Sequence, residues 1–73
     1  MEQKLSPDSL SLSVAMASYN GERYISQQID SILSQLRPQD ELIISDDGST
    51  DKTVDIIRGY AQTDSRIKLL HGP

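Results

Sequence analysis

The sequence predicts an α/β fold in which a strand, a helix, a strand, a helix and a strand follow one another. Two changes of hydrophobic period predict it. Leu10, Leu12, Val14 and Met16 alternate, whereas Ile25, Ile29, Ile32, Leu33 and Leu36 recur at helical spacing. The same switch is repeated from Leu42-Ile43-Ile44 to Val54, Ile57, Tyr60 and Ala61. Alternation of this kind implies a parallel sheet joined by crossover helices, one βαβαβ half of a doubly wound, Rossmann-like sheet.

The first strand is expected over Leu10 to Ala17, with Ala15 and Ala17 making its second face apolar, so burial should grow toward its carboxyl end. Tyr19-Asn20-Gly21 is turn chemistry. Asn20 suits the N-cap of the first helix, with Glu22 in its acidic first turn. Arg37-Pro38 should end that helix, because proline disfavours helical geometry in the residue before it. Leu42 to Ile44 is the second strand, and Ser49 or Thr50 can cap the second helix, which Gly59 weakens near its end. Ile67 to Leu70 is a third short strand, and His71-Gly72-Pro73 reads as its exit. Residues 1–9, with Ser6, Pro7, Asp8 and Ser9 as breakers, read as a loose leader before a domain over residues 10–73.

Composition limits the function. At 73 residues the chain is at most one small domain. Such a chain buries only about 60% of its unfolded surface. Three parallel strands lack the usual cover on both faces, so the chain reads as the amino-terminal piece of a larger protein. No cysteine is present, which excludes disulfides and thiolate metal sites. Apolar runs reach three or four residues, far short of a membrane span, and Met1 to Leu10 carries no signal-peptide core. Eleven acids against seven bases give a net charge of −4, which argues against nucleic acid and anionic membranes as partners.

The chemistry concentrates at two strand ends, where open α/β sheets keep their ligands. One is Ala17-Ser18-Tyr19-Asn20-Gly21-Glu22 and the other Asp46-Asp47-Gly48-Ser49. Carboxylates there can accept a ligand's N–H or O–H groups or bind a hard cation. Asp47-Gly48 is equally ordinary turn chemistry, with an acid capping the next helix. Tyr19 can stack on a planar base or staple the first helix. Glu22 can meet a ligand or simply occupy the helix start. Lys52 and Arg23 can approach phosphates or simply lie on solvated helix faces, and His71 has no partner by pattern. The acids lack the spacing of a calcium loop, and no Gly-Lys-Ser/Thr follows to make a P-loop. Gly21 stands without the further glycines of a dinucleotide fingerprint.

Three segments in order, SVAMASYNGE at 13–22, QIDSILSQ at 28–35 and ELIISDDGSTD at 41–51, resemble family-2 glycosyltransferases, inverting enzymes with the A-type nucleotide-sugar transferase fold. The resemblance spans about residues 11 to 70. It implies that residues 10–73 are part of the nucleotide-sugar-binding half of that fold. Tyr19 resembles the tyrosine that lies against a uracil or thymine ring. Ala17, followed by Ser18, resembles the position whose backbone meets the base. Asp47 resembles the aspartate that accepts the N3 proton of the base, and Asp46 its companion, which supports the turn and reaches toward base or ribose. Glu22 resembles a frequent acid near the ribose and sugar. Gly48 and Ser49 resemble the turn that keeps the base site open.

The resemblance implies a UDP- or dTDP-sugar donor, a glycan or lipid-linked acceptor, and magnesium or manganese in the whole enzyme. It implies polysaccharide synthesis in the cytoplasm, at the inner face of the membrane. The family's Asp-x-Asp element and catalytic base are missing from these 73 residues, so the chain by itself is expected to hold no metal and to be inactive. The alternative is a non-catalytic nucleotide-binding module, or one that self-associates through an unfinished sheet edge.

Overall fold

A computed structural model describes residues 11–71. The proposed leader, the start of the first strand at Leu10, and Gly72-Pro73 lie outside them. The elements are β1 (Ser13–Ser18), α1 (Ile25–Leu33), β2 (Glu41–Asp46), α2 (Thr53–Thr63) and β3 (Ile67–His71). The three strands form a parallel sheet in the order β1-β2-β3, as the alternation of periods predicts.

Register decides which residues share a face. Val14, Leu42 and Ile67 stand side by side, as do Met16, Ile44 and Leu69, and then Ser18, Asp46 and His71. On the face that carries these three rows, Leu42, Ile44 and Ile67 pack against Ile25 and Ile29 of α1 and Ile57 of α2 to form the core. Both helices therefore cover the same face. The opposite face is not covered by any described element. Ala15, Ala17, Lys68 and Leu70 are exposed there, and Ile43 and Ser45 are half-buried. This corrects the expectation that both faces of β1 become buried toward its end. The face of Ala15 and Ala17 lacks a packing layer, and Ser18 is the one buried residue of the strand.

The helix boundaries also differ from those expected. Asn20 is not the N-cap of α1, and Glu22 is not in its first turn. The helix begins at Ile25, after a turn in which Tyr24 and Ile25 donate to the Gly21 carbonyl at 2.8 Å. Asn20 has φ 47°, a left-handed conformation that a helix start does not use. The helix stops at Leu33, before Arg37-Pro38. Gln35 and Leu36 continue as tight turns onto the carbonyls of Ile32 and Leu33.

At the amino ends of the strands two ion pairs fix the chain. Asp40, buried, accepts from the Leu12 amide (2.9 Å), the Arg37 amide (2.7 Å) and the Arg37 guanidinium (3.1 Å). Arg66 pairs with Asp64 (2.7 Å) and donates to the Leu36 carbonyl (2.9 Å), capping the chain that leaves α1. Neither clamp is visible in a hydropathy pattern.

Candidate functional site

β1 and β2 end in register, with Ser18 beside Asp46. Asp46 is only 2% exposed, although it is charged. Its carboxylate is satisfied on every side. Oδ1 accepts from the hydroxyls of Ser18 (2.8 Å) and Ser49 (2.6 Å). Oδ2 accepts from the amides of Gly48 (3.1 Å) and Ser49 (2.8 Å). Burial alone would raise its pKa, but the Ser49 hydroxyl and amide, the Ser18 hydroxyl and the Gly48 amide outweigh it and hold the carboxyl below the ordinary range. A carboxylate offers about four acceptor positions, and all are taken. Asp46 thus supports the turn, with all four donors drawn from the fold itself. Gly48 follows at φ 86°, where an L-side chain is strained, although a Cβ there would meet nothing within 4 Å.

Asp47 has the opposite environment. Its amide donates to the Ser18 carbonyl at 2.9 Å, extending the β1–β2 ladder by one step. Its side chain is exposed and has no hydrogen-bond partner among the described residues. Of two adjacent acids, one is consumed by the fold and the other is presented to solvent, its amide bonded to the carbonyl of the residue before Tyr19.

The loops after β1 and β2 are laced together. The amides of Asn20, Gly21 and Glu22 donate to Ser49 Oγ (2.8 Å), Thr53 Oγ1 (2.8 Å) and Asp51 Oδ2 (3.2 Å). In return, Thr50 donates its amide to Asn20 Oδ1 (2.8 Å) and Lys52 to Glu22 Oε1 (3.2 Å). Ser49 and Thr50 are therefore engaged in the loop contact, and neither caps α2, which corrects the expectation that one of them would. The N-cap position falls on Lys52, which has no side-chain cap, and Asp51 just before it accepts from the Thr53 amide (2.9 Å) and hydroxyl.

A pocket of about 270 Å³ opens at the carboxyl end of β1. Ala17, Ser18, Tyr19, Asn20 and Gly21 line one side, and Tyr24, Ile25 and Gln28 of the α1 start line the other. Tyr19 is 63% exposed and Tyr24 60%. The structure thus brings Ala17, Ser18 and Tyr19 to one pocket, while Asp46, Asp47, Gly48 and Ser49 form the adjoining loop and do not line it. Glu22 is exposed and holds the Lys52 amide. Tyr24 and Gln28 were missed from sequence. Their signal was an aromatic and an amide four residues apart, off the apolar stripe of α1. A larger cleft of about 620 Å³ at the opposite end of the sheet is lined by Leu33, Leu36 and Arg66, but there Arg66 is engaged with Asp64 and α1 carbonyls.

Among the described residues no group of three or more His, Asp or Glu side chains could hold a metal ion. With Asp46 saturated by donors, the described residues do not fit a divalent-metal site. No described helix is long and apolar enough to cross a membrane.

The carboxylates of this network make stability pH-dependent. Asp40 is held well below the usual range by the Arg37 side chain and by the Arg37 and Leu12 amides. Asp51 is lowered by the Thr53 hydroxyl and amide, and Asp64 by Arg66. A carboxyl whose pKa falls on folding contributes stability above its unfolded value, about 3.9, and loses it as pH falls through the folded value. The thermal midpoint should change little from pH 7 to 5 and drop steeply below about pH 4. A midpoint unchanged down to pH 3 would contradict the bonding described.

The fold and the site define a strand-end ligand pocket in a parallel α/β sheet, and comparison with known proteins gives its class. Residues 13–73 match the family model "Glycosyl transferase family 2". An uncharacterized glycosyltransferase of Haemophilus influenzae is 45% identical over 85% of this chain and 25% of its own length. TuaG of Bacillus subtilis, named as a teichuronic acid biosynthesis glycosyltransferase, is 43% identical over 82% of this chain and 24% of its own length. EpsE of Bacillus subtilis, also named as a glycosyltransferase, is 50% identical over 81% and 22%. The chain belongs to glycosyl transferase family 2. It spans about a quarter of the length of these relatives.

Proposed function

We propose that this chain is the part of a glycosyltransferase that binds the pyrimidine nucleoside of a UDP- or dTDP-sugar. The whole protein would move the sugar to a hydroxyl of a glycan or lipid-linked acceptor in polysaccharide biosynthesis, in the cytoplasm at the inner membrane face. The observation that carries the reading is the contrast at the β2 end. Asp46 is buried and saturated, whereas Asp47 is free, exposed, and tied through its amide to the residue before exposed Tyr19. A free carboxylate and an exposed ring at two strand ends in register suit a planar base with an N–H donor: the ring stacks and the carboxylate accepts.

The same chemistry limits the chain. Its net charge of −4 opposes a diphosphate, and among the described residues no cluster of acids could hold a counter-cation. Magnesium or manganese and the general base that deprotonates the acceptor would sit on residues outside these 73, so the chain alone would not transfer sugar.

Titration of the intact protein with uridine, UDP and cytidine tests the reading. Tyr19→Ala should weaken uridine about tenfold, the worth of one base–aromatic stack. Asp47→Ala should weaken it about tenfold as well and remove the preference over cytidine, which lacks an N3–H in its usual tautomer. Unchanged affinity in both variants would sink the assignment. The bare sheet face, with Leu70 55% exposed, favours a second reading, a self-associating module. Concentration-dependent association without any nucleotide binding would establish that one instead.

A further inference from the structure

We propose that Asn20 is a positioning residue that holds the Tyr19 loop and the Asp47 loop in one fixed arrangement, and this rests on the nucleoside-binding reading above. Asn20 directly follows Tyr19, is exposed, and is the described non-glycine residue with a positive φ, 47°. That conformation disfavours most L-residues and persists only where neighbouring bonds enforce it. Here both ends of the residue are engaged across the gap. Its amide donates to Ser49 Oγ (2.8 Å), and its Oδ1 accepts the Thr50 amide (2.8 Å).

Ser49 in turn donates its hydroxyl to Asp46, which also receives Ser18. A continuous path of hydrogen bonds therefore runs from the residue after Tyr19, through Ser49 and Asp46, back to the residue before Tyr19. Asp47 lies inside this path, between Asp46 and Ser49. This path ties the Tyr19 loop to the Asp47 loop, and the Asn20 side chain adds a second tie, to the Thr50 amide. Because Asn20 is exposed, shortening it opens no core cavity. Its loss should loosen the loops and leave the sheet intact.

The consequence is separable from folding. Asn20→Gly keeps the left-handed backbone accessible and removes the acceptor. Asn20→Asp keeps the acceptor and tolerates the same φ. In the intact protein, Asn20→Gly should weaken uridine about fivefold, one hydrogen bond's worth of ordering, and should narrow the uridine-over-cytidine preference. Without ligand, the Thr50 amide should exchange with solvent faster while β2 amides do not. Asn20→Asp should restore affinity to within about twofold of the parent.

Asn20→Gly binding uridine as the parent does would overturn the proposal. So would weakened binding with unchanged Thr50 exchange, since that marks a direct ligand contact rather than positioning. An Asn20→Asp variant as weak as Asn20→Gly would overturn the role of the acceptor. If the parent binds uridine and Tyr19→Ala weakens it while Asn20→Gly does not, this proposal fails and the nucleoside reading stands. If the parent does not bind uridine, both fail.

Discussion

Asp46→Ala should cost the intact protein about 3 kcal/mol of stability and abolish measurable uridine binding. The substitution removes one buried carboxylate and strands four donors: the hydroxyls of Ser18 and Ser49 and the amides of Gly48 and Ser49. An unmet buried donor costs about 1–3 kcal/mol, and rotation of the two hydroxyls toward water recovers part of the total. A domain of this size has roughly 4–10 kcal/mol of stability, so the loss is a large share. Function should fail with it, because the turn that presents Asp47 is built on Asp46. Asp46→Asn should fall between the two proteins: its amide oxygen still accepts, but its NH2 faces groups that are themselves donors. Urea midpoints of the three proteins measure the series. A loss below about 1 kcal/mol for Asp46→Ala would show that the four bonds do not form together.

Ile44→Ala should cost about 3–4 kcal/mol, a large share of the roughly 4–10 kcal/mol expected for a chain of this size. Ile44 is 0% exposed at the centre of the middle strand, with Met16 and Leu69 on either side and Ile25, Ile29 and Ile57 in the same core. The site cannot collapse easily, because two helices and two strands frame it. The neighbouring Ile43→Ala should cost about 1 kcal/mol or less in that chain, since Ile43 lies half-buried on the open face. Two isoleucines one position apart thus differ because a strand turns successive side chains to opposite faces. Circular dichroism against urea reads both, and equal losses would refute the one-sided packing.

The order of elements was legible because each period is long enough to stand out. Alternation before Tyr19 and the helical recurrence of Ile25, Ile29, Ile32 and Leu33 leave little choice of structure, and the two Asp-Gly and Asn-Gly turns mark where the chain reverses. The caps were not legible. Asn20, Ser49 and Thr50 all have side chains that cap helices in isolation, and a local reading assigns them so. In the folded chain they bond across the gap between two loops about 30 residues apart in sequence. The N-cap of α2 falls on Lys52 without a side-chain cap, and Asp51 before it accepts from the Thr53 amide. The clamps at Asp40 and Arg66 are legible only in part: each has a charged partner two or three residues away, but their bonds to Leu12 and Leu36 are remote.

At the site itself, both strand ends were marked by residue type. Turn residues and acids directly after apolar strands are a local pattern, and so the ligand end of the sheet could be read from the chain alone. Which of two identical adjacent acids is free could not. Asp46 and Asp47 differ only in which way the strand turns them, one toward Ser18 and the covered face, the other outward. The same dependence on position brings Tyr24 and Gln28 to the pocket and leaves Glu22 on the Lys52 amide. Periodicity and turn chemistry are properties of neighbours in sequence, and by themselves they determined the α/β order and the location of the site. The division of labour among its residues depends on register and on bonds between distant loops, which exist only once the sheet has brought β1 and β2 together.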